Sequence, residues 1–230
     1  MRKGIKFVVI VTLILLTILL LFNIQINRKY KSYLMQQNEY SISSILSNIR
    51  NNNVILNEYK KSGQITYAEL SRIGSNYLDA GDELKGLLEQ VNHFMADANY
   101  SHENFNTIIV YLDGISLFIS MDLLQGIGNF YPQMYNDKVY ELNEDEKLIL
   151  GYIFDLNIKF TDIIIEKGFL SNQENSKEYN IDVGKNNGLG VSSDFIDAVA
   201  NETKGYFGEL KNPKNSKLVE KFILIMSEWR

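Results

Sequence analysis

The sequence predicts an all-α protein: an N-terminal transmembrane helix followed by an antiparallel helical bundle with long first helices. Three observations carry this. Phe7 to Ile26 reads FVVIVTLILLTILLLFNIQI and holds no charge, and about 20 such residues cross a bilayer as a helix. The remainder shows helical periodicity and has only two prolines, Pro132 and Pro213, to interrupt it. Capping patterns stand just ahead of the periodic stretches.

The anchor comes first. Arg2, Lys3 and Lys6 precede the apolar run and Arg28, Lys29 and Lys31 follow it, so the count of flanking cations nearly ties. A short basic head before an apolar run is the form of an export signal. It places residues 1–6 in the cytoplasm, residues 7–26 in the cell membrane and residues 27–230 outside. The run ends Leu21-Phe22-Asn23-Ile24-Gln25-Ile26. It lacks the small residues that mark a cleavage site, so the span is expected to persist. The chain has no Cys to acylate, which closes a lipoprotein route.

Composition narrows the chemistry. Net charge is −5, and without the three head cations 20 Lys and Arg stand against 28 Asp and Glu. An acidic domain is poorly suited to nucleic acid, whose binding depends on Lys and Arg displacing counterions. The absence of Cys excludes disulfides, iron–sulfur clusters and thiolate zinc sites. The residues beyond the anchor suffice for one sizeable core.

From Arg28 to Lys61 there is neither Gly nor Pro. Met35, Ile42, Ile49 and Leu56 recur at sevens, joined by Ile45 and Tyr59, which predicts one long helix with a heptad seam. Asn51-Asn52-Asn53 is its weak point, because Asn favours turns. Ser62-Gly63 ends it, glycine supplying a left-handed closing residue. Thr66 and Glu69 then form a capping box. Leu70, Tyr77, Leu84, Val91 and Ala98 fall at sevens, with Gly74, Gly81, Leu88 and Met95 four residues after the first four. The glycines admit a neighbouring helix closely; the alternative is a break at Ala80-Gly81-Asp82. These first two helices are expected to form an antiparallel hairpin.

A third helix starts at Ser101 or Asn104 and ends at Gly126-Ile127-Gly128. It is apolar over most of its circumference, as befits a central helix, apart from a stripe of Asn106, Asp113, Ser116 and Ser120. Asp113 and Asp122 argue against a second membrane span. After the connection Phe130–Leu142, Asn143 and Glu146 repeat the capping box and open a fourth helix running to about Gly168. Ile149, Ile153, Leu156, Phe160, Ile163 and Ile164 face the core, while Asp155 and Lys159 stand in i,i+4 register on a solvent stripe. Residues 171–192 are polar and read as a flexible loop. Ser193 or Asp194 caps a short helix to about Phe207. Ser216 caps a last one, with Leu218, Val219, Phe222, Ile225, Met226 and Trp229 along one face. No stretch alternates as a strand does.

Catalytic and cofactor patterns fail on spacing. His102-Glu103 opens like a zinc-protease helix, but Asn106 holds the second His position, and His93 is the other His in the chain. Asp97 to Ile108 lacks the Gly and Glu of a calcium loop. The Gly184–Gly190 stretch matches neither phosphate-binding spacing. Glu144, Asp145 and Glu146 belong in a helix's first turn, where the dipole favours acids. No enzyme, cofactor or metal site is expected, and no nucleic-acid partner.

What remains is a single-pass, extracytoplasmic helical protein. It serves as an interaction or structural component of a bacterial envelope, with another envelope protein as partner. The alternative is a ligand-binding or sensor module that signals through a partner membrane protein. The candidate contact residues are Phe130, Tyr131, Met134, Tyr135 and Tyr140 in the aromatic connection, since aromatics and Met anchor interfaces. The competing reading folds the same rings inward to close the end of the bundle.

Overall fold

In the computed structural model the described residues are 2–94, 102–124, 138–166, 193–209 and 217–227. The chain is all-α. Among the described residues six α-helices run Arg2–Ser62 (α1), Tyr67–Phe94 (α2), His102–Phe118 (α3), Glu144–Glu166 (α4), Ser193–Glu209 (α5) and Lys217–Ser227 (α6). One π-helical turn, Ile119–Leu123, continues α3. Two two-residue strands, Ile65–Thr66 (β1) and Val139–Tyr140 (β2), pair antiparallel with Ile65 opposite Tyr140. Strands this short leave no alternation to read, which is why the sequence did not announce them.

α1 is continuous over 61 residues, about 90 Å at 1.5 Å per residue. Its apolar stretch Ile10–Leu34 is long and apolar enough to span a membrane, and none of its most apolar window is buried. The Thr17 hydroxyl donates to the Leu13 carbonyl one turn back, 2.8 Å away, and so is satisfied within its own helix. Burial begins at Leu34, and Ile42, Ile45, Ile49 and Leu56 enter the core. Gly63, at φ +67°, closes the helix with its N–H on the Tyr59 carbonyl at 2.7 Å. The left-handed conformation there is the one glycine adopts without a steric penalty.

Both capping boxes form. The Thr66 N–H donates to Glu69 Oε2 at 2.7 Å, and the Glu69 N–H returns to Thr66 Oγ1 at 3.2 Å. Asn143 and Glu146 do the same at 2.8 and 3.0 Å. α2 passes unbroken through Ala80-Gly81-Asp82, and its glycines admit α3. A Cβ on Gly74 would sit 3.3 Å from Ile119 Cγ2, and one on Gly81 would sit 2.6 Å from Asp113 Oδ1.

α2 folds back on α1 across the short turn after Ser62, with Asn76 meeting Asn52. It runs antiparallel to α3, as Gly74–Ile119 and Gly81–Asp113 show, and α4 runs antiparallel to α1, as Lys60–Phe154 and Asn53–Thr161 show. α6 returns along α3 with Phe118 edge-on to Phe222 at 5.0 Å. The α3 stretch Asn106–Leu123 also passes a length-and-hydropathy test for a span, but 56% of it is buried inside the bundle. Its two acids are paired: Asp113 with Lys85 of α2 at 2.9 Å, and Asp122 with Lys221 of α6. α3 is the core helix that its all-round apolar surface predicts.

The three asparagines read as a weak point are helical, and two of them hold the bundle together. Asn52 is buried, accepts from the Asn76 amide at 2.7 Å and donates to the Ile73 carbonyl at 3.4 Å. Asn53 Oδ1 takes the Asn157 amide at 2.6 Å, and its own amide reaches Thr161 Oγ1 at 2.6 Å. Asn157, fully buried in α4, also donates to the Ile49 carbonyl at 2.8 Å and accepts the Tyr77 hydroxyl at 2.8 Å. A polar seam thus ties α1, α2 and α4 inside an otherwise apolar core. The expected Asp155–Lys159 pair is replaced as well: Lys159 pairs with Glu202 of α5 and lies over the Tyr206 ring.

Candidate functional site

Of the nominated contact residues, Phe130, Tyr131, Met134 and Tyr135 lie outside the described residues. Tyr140 is placed, and it serves the far end of the bundle, where α1 ends. Its strand pairing brings the ring edge-on to Tyr67, with centroids 5.0 Å apart. Its hydroxyl lies 2.9 Å from the Leu123 carbonyl and 3.0 Å from Glu146 Oε1. The Leu123 carbonyl ends the π turn, so Tyr140 supplies a donor to an acceptor there. Burial, then the Glu146 carboxylate, raise the phenol's pKa well above the ordinary 10.0, and it stays protonated. Glu146 is itself buried; its Oε2 completes the capping box while Oε1 meets the phenol. The acids at the start of α4 are therefore helix-start carboxylates, with Glu144 paired to Lys147 at 2.7 Å.

The connection that carries the other four nominated residues follows the π turn in the chain and ends at Lys138. Its return is fixed: the Tyr67 N–H donates to the Lys138 carbonyl at 3.1 Å, and Thr66 pairs with Val139. Asp122, beside its departure, is held by Lys221. The described residues on either side of it are thus tied to the bundle, Lys138 and Val139 to Tyr67 and Thr66 and Asp122 to α6.

A second feature was not legible in the sequence. A groove of about 440 Å³ opens between α3, α5 and α6, lined by Glu103, Asn106, Thr107, Val110, Tyr111, Lys204 and Met226. Tyr111 and Met226 are buried and give it an apolar floor. At its mouth Lys204 Nζ lies 3.0 Å from Glu103 Oε1 and 3.2 Å from Asn104 Oδ1, and Asn104 donates to Asp197 at 2.6 Å. Its volume falls in the range of small-molecule pockets, roughly 300–1,000 Å³. Among the described residues the lining suits an apolar or amphiphilic molecule with a polar end at the Lys204–Glu103 pair. It was missed because α5 and α6 lie about 100 residues from α3 in the chain, as the Lys204–Asn104 contact illustrates.

Among the described residues no group of three His, Asp or Glu converges as metal ligands do. Asp113 Oδ1 is buried against Gly81 without a hydrogen-bond partner, while Oδ2 takes Lys85. That arrangement locks α2 to α3. Asp82 and Asp113, by hydrogen bonding in that order, raise the Lys85 pKa and keep it charged. No protein-family model, no curated protein and no solved structure matches the chain.

Proposed function

We propose that the chain is a single-pass membrane protein of a bacterial envelope, its N-terminus cytoplasmic and its helical bundle outside. There it acts as an interaction or structural component that binds another envelope protein. The observation that supports this is the division of α1. One uninterrupted helix is apolar and exposed through Ile26, then passes Arg28, Lys29 and Lys31 and enters the bundle core from Leu34 onward. A span joined to the bundle without a hinge gives the domain a defined stance on the membrane. The partner surface is the connection bearing Phe130, Tyr131, Met134 and Tyr135, held at its return by Tyr140.

Two experiments test the reading. A membrane-impermeant maleimide should label Lys61→Cys, an exposed position, in intact cells or spheroplasts; labelling only after lysis reverses the topology. Tyr131→Ala and Tyr135→Ala should abolish a crosslink to the partner in native membranes and leave the melting temperature unchanged. A loss of about 3 kcal/mol or more at both positions would instead assign those rings to the core.

The groove supports a second reading, a ligand-binding module that signals through a partner membrane protein. An apolar ligand that co-purifies with the chain and is lost from Val110→Trp would favour it.

A further inference from the structure

From the outer face of α1 we infer that the protein pairs with a second copy of itself, through a parallel two-helix contact running up from the membrane. The inference rests on the single-pass reading above. The inner face of α1 is committed to α2 and α4. Its outer face carries a second line of residues, Tyr33, Gln37, Tyr40, Ser44, Ser47, Asn51 and Val54, spaced alternately by four and three. That is the spacing of a two-stranded coiled-coil seam. Six of the seven are exposed and Ser44 is half-buried; Tyr33, Tyr40 and Val54 show 60%, 72% and 49% of their surface. The line is about 30 Å long at 1.5 Å per residue.

Its chemistry selects the occupant. None of the seven is charged, whereas the other helices present charge outward: Arg72, Asp79 and Glu89 on α2, Glu144, Asp155 and Asp162 on α4. Two anchored copies share one bilayer and stand parallel, so a two-fold axis along the membrane normal sets this face against itself. A self-facing contact line on an acidic chain must be free of like charges, and this one is between Lys29 below and Glu58 above, with the exposed Arg50 at its flank. Tyr33 and Tyr40 supply area at low entropic cost, Ser44 and Ser47 permit close approach, and Asn51 is the kind of polar residue that fixes register in such seams. The seam is too polar to be strong in solution. Confinement to one membrane makes a weak contact sufficient by raising the effective concentration.

The absence of native Cys makes the test direct. Gln37→Cys, Ser44→Cys and Asn51→Cys, oxidised in native membranes, should give disulfide dimers of the full chain. Asp79→Cys and Asp155→Cys, equally exposed on other helices, should stay monomeric. Adding Tyr40→Glu and Ser47→Glu, both solvent-exposed, to Ser44→Cys should cut the dimer by about tenfold, the effect of roughly 1.4 kcal/mol of repulsion. Dimers no stronger at the seam than at the controls, or unaffected by the two glutamates, would overturn the pairing. Maleimide labelling and an alkaline carbonate wash of the same variants separate the two failures. A chain that is labelled from outside and resists the wash but does not crosslink refutes the pairing alone. A chain stripped by the wash refutes the anchor and, with it, the premise of the pairing.

Discussion

Asn157 donates to two acceptors on α1 and accepts the Tyr77 hydroxyl from α2, so one buried side chain joins three helices. Asn157→Leu keeps the volume, leaves Asn53 Oδ1 without its donor and takes the acceptor from the Tyr77 hydroxyl. It should cost about 3 kcal/mol, read by chemical denaturation of the detergent-solubilised chain, and adding Tyr77→Phe should return about 1 kcal/mol of it. Equal stability of Asn157→Leu and the parent would remove the seam's structural role. Tyr77 also sets a pH dependence. Burial raises its pKa well above 10.0, against a smaller opposing pull from Asn52. Above pH 10.0 the unfolded tyrosine releases its proton and the folded one keeps it. The unfolded state then binds fewer protons, so stability is complete below that pH and falls as pH rises past it. Tyr77→Phe should make the alkaline slope shallower by about 1.4 kcal/mol per pH unit. The glycines of α2 divide by what faces them. Gly81→Ala drives a Cβ into Asp113 Oδ1 and should cost about 1–3 kcal/mol. Gly86→Ala meets nothing within 4 Å and should stabilise by about 0.5–1 kcal/mol.

At the scale of the helix, ends and interiors obey different information. Both capping boxes were legible because each is a bond between residues three apart. Asn143→Ala should cost about 1 kcal/mol. Gly63→Ala, strained at φ +67°, should cost roughly 1–2 kcal/mol. A smaller effect of Gly63→Ala than of Gly86→Ala in the same denaturation series would contradict the closing turn. Interiors were less legible. Asn51 to Asn53 read as a turn by propensity, yet the partners that keep Asn52 and Asn53 helical lie 24 and 104 residues away. Lys159 had a local acid in register and took Glu202, 43 residues on, because α5 packs beside it. Weak local preferences yield to tertiary bonds made in a dry interior.

At the scale of the molecule, the outward charges of α2, α4 and α6 and the inward seams of α1 to α4 predict a bundle that stands without its anchor. Residues 28–230 should be soluble and give a helix-dominated circular dichroism spectrum. A fragment that stays in the membrane fraction would restore α3 as a second span. The same division explains why the two span-like segments differ. Among the described residues nothing buries the most apolar window of Ile10–Leu34, whereas Asp113 of α3 and Asp122 of the π turn are met by lysines from α2 and α6.

By itself the sequence determined the helical class, the apolar segment, the helix starts and the α2 glycines as a place of close approach. Each of these is written in neighbours one to seven residues apart, within the reach of a helical turn or a heptad. Only the tertiary structure decided that the asparagine run is a buried joint and that Tyr140 meets the end of the π turn. It alone opened a groove between α3, α5 and α6, and left α1 with a second line of uncharged, mostly exposed residues. Those features depend on which residues meet across tens or hundreds of positions, and on which face of a helix its neighbours leave uncovered. Periodicity along one helix records that it has faces; packing determines what each face meets.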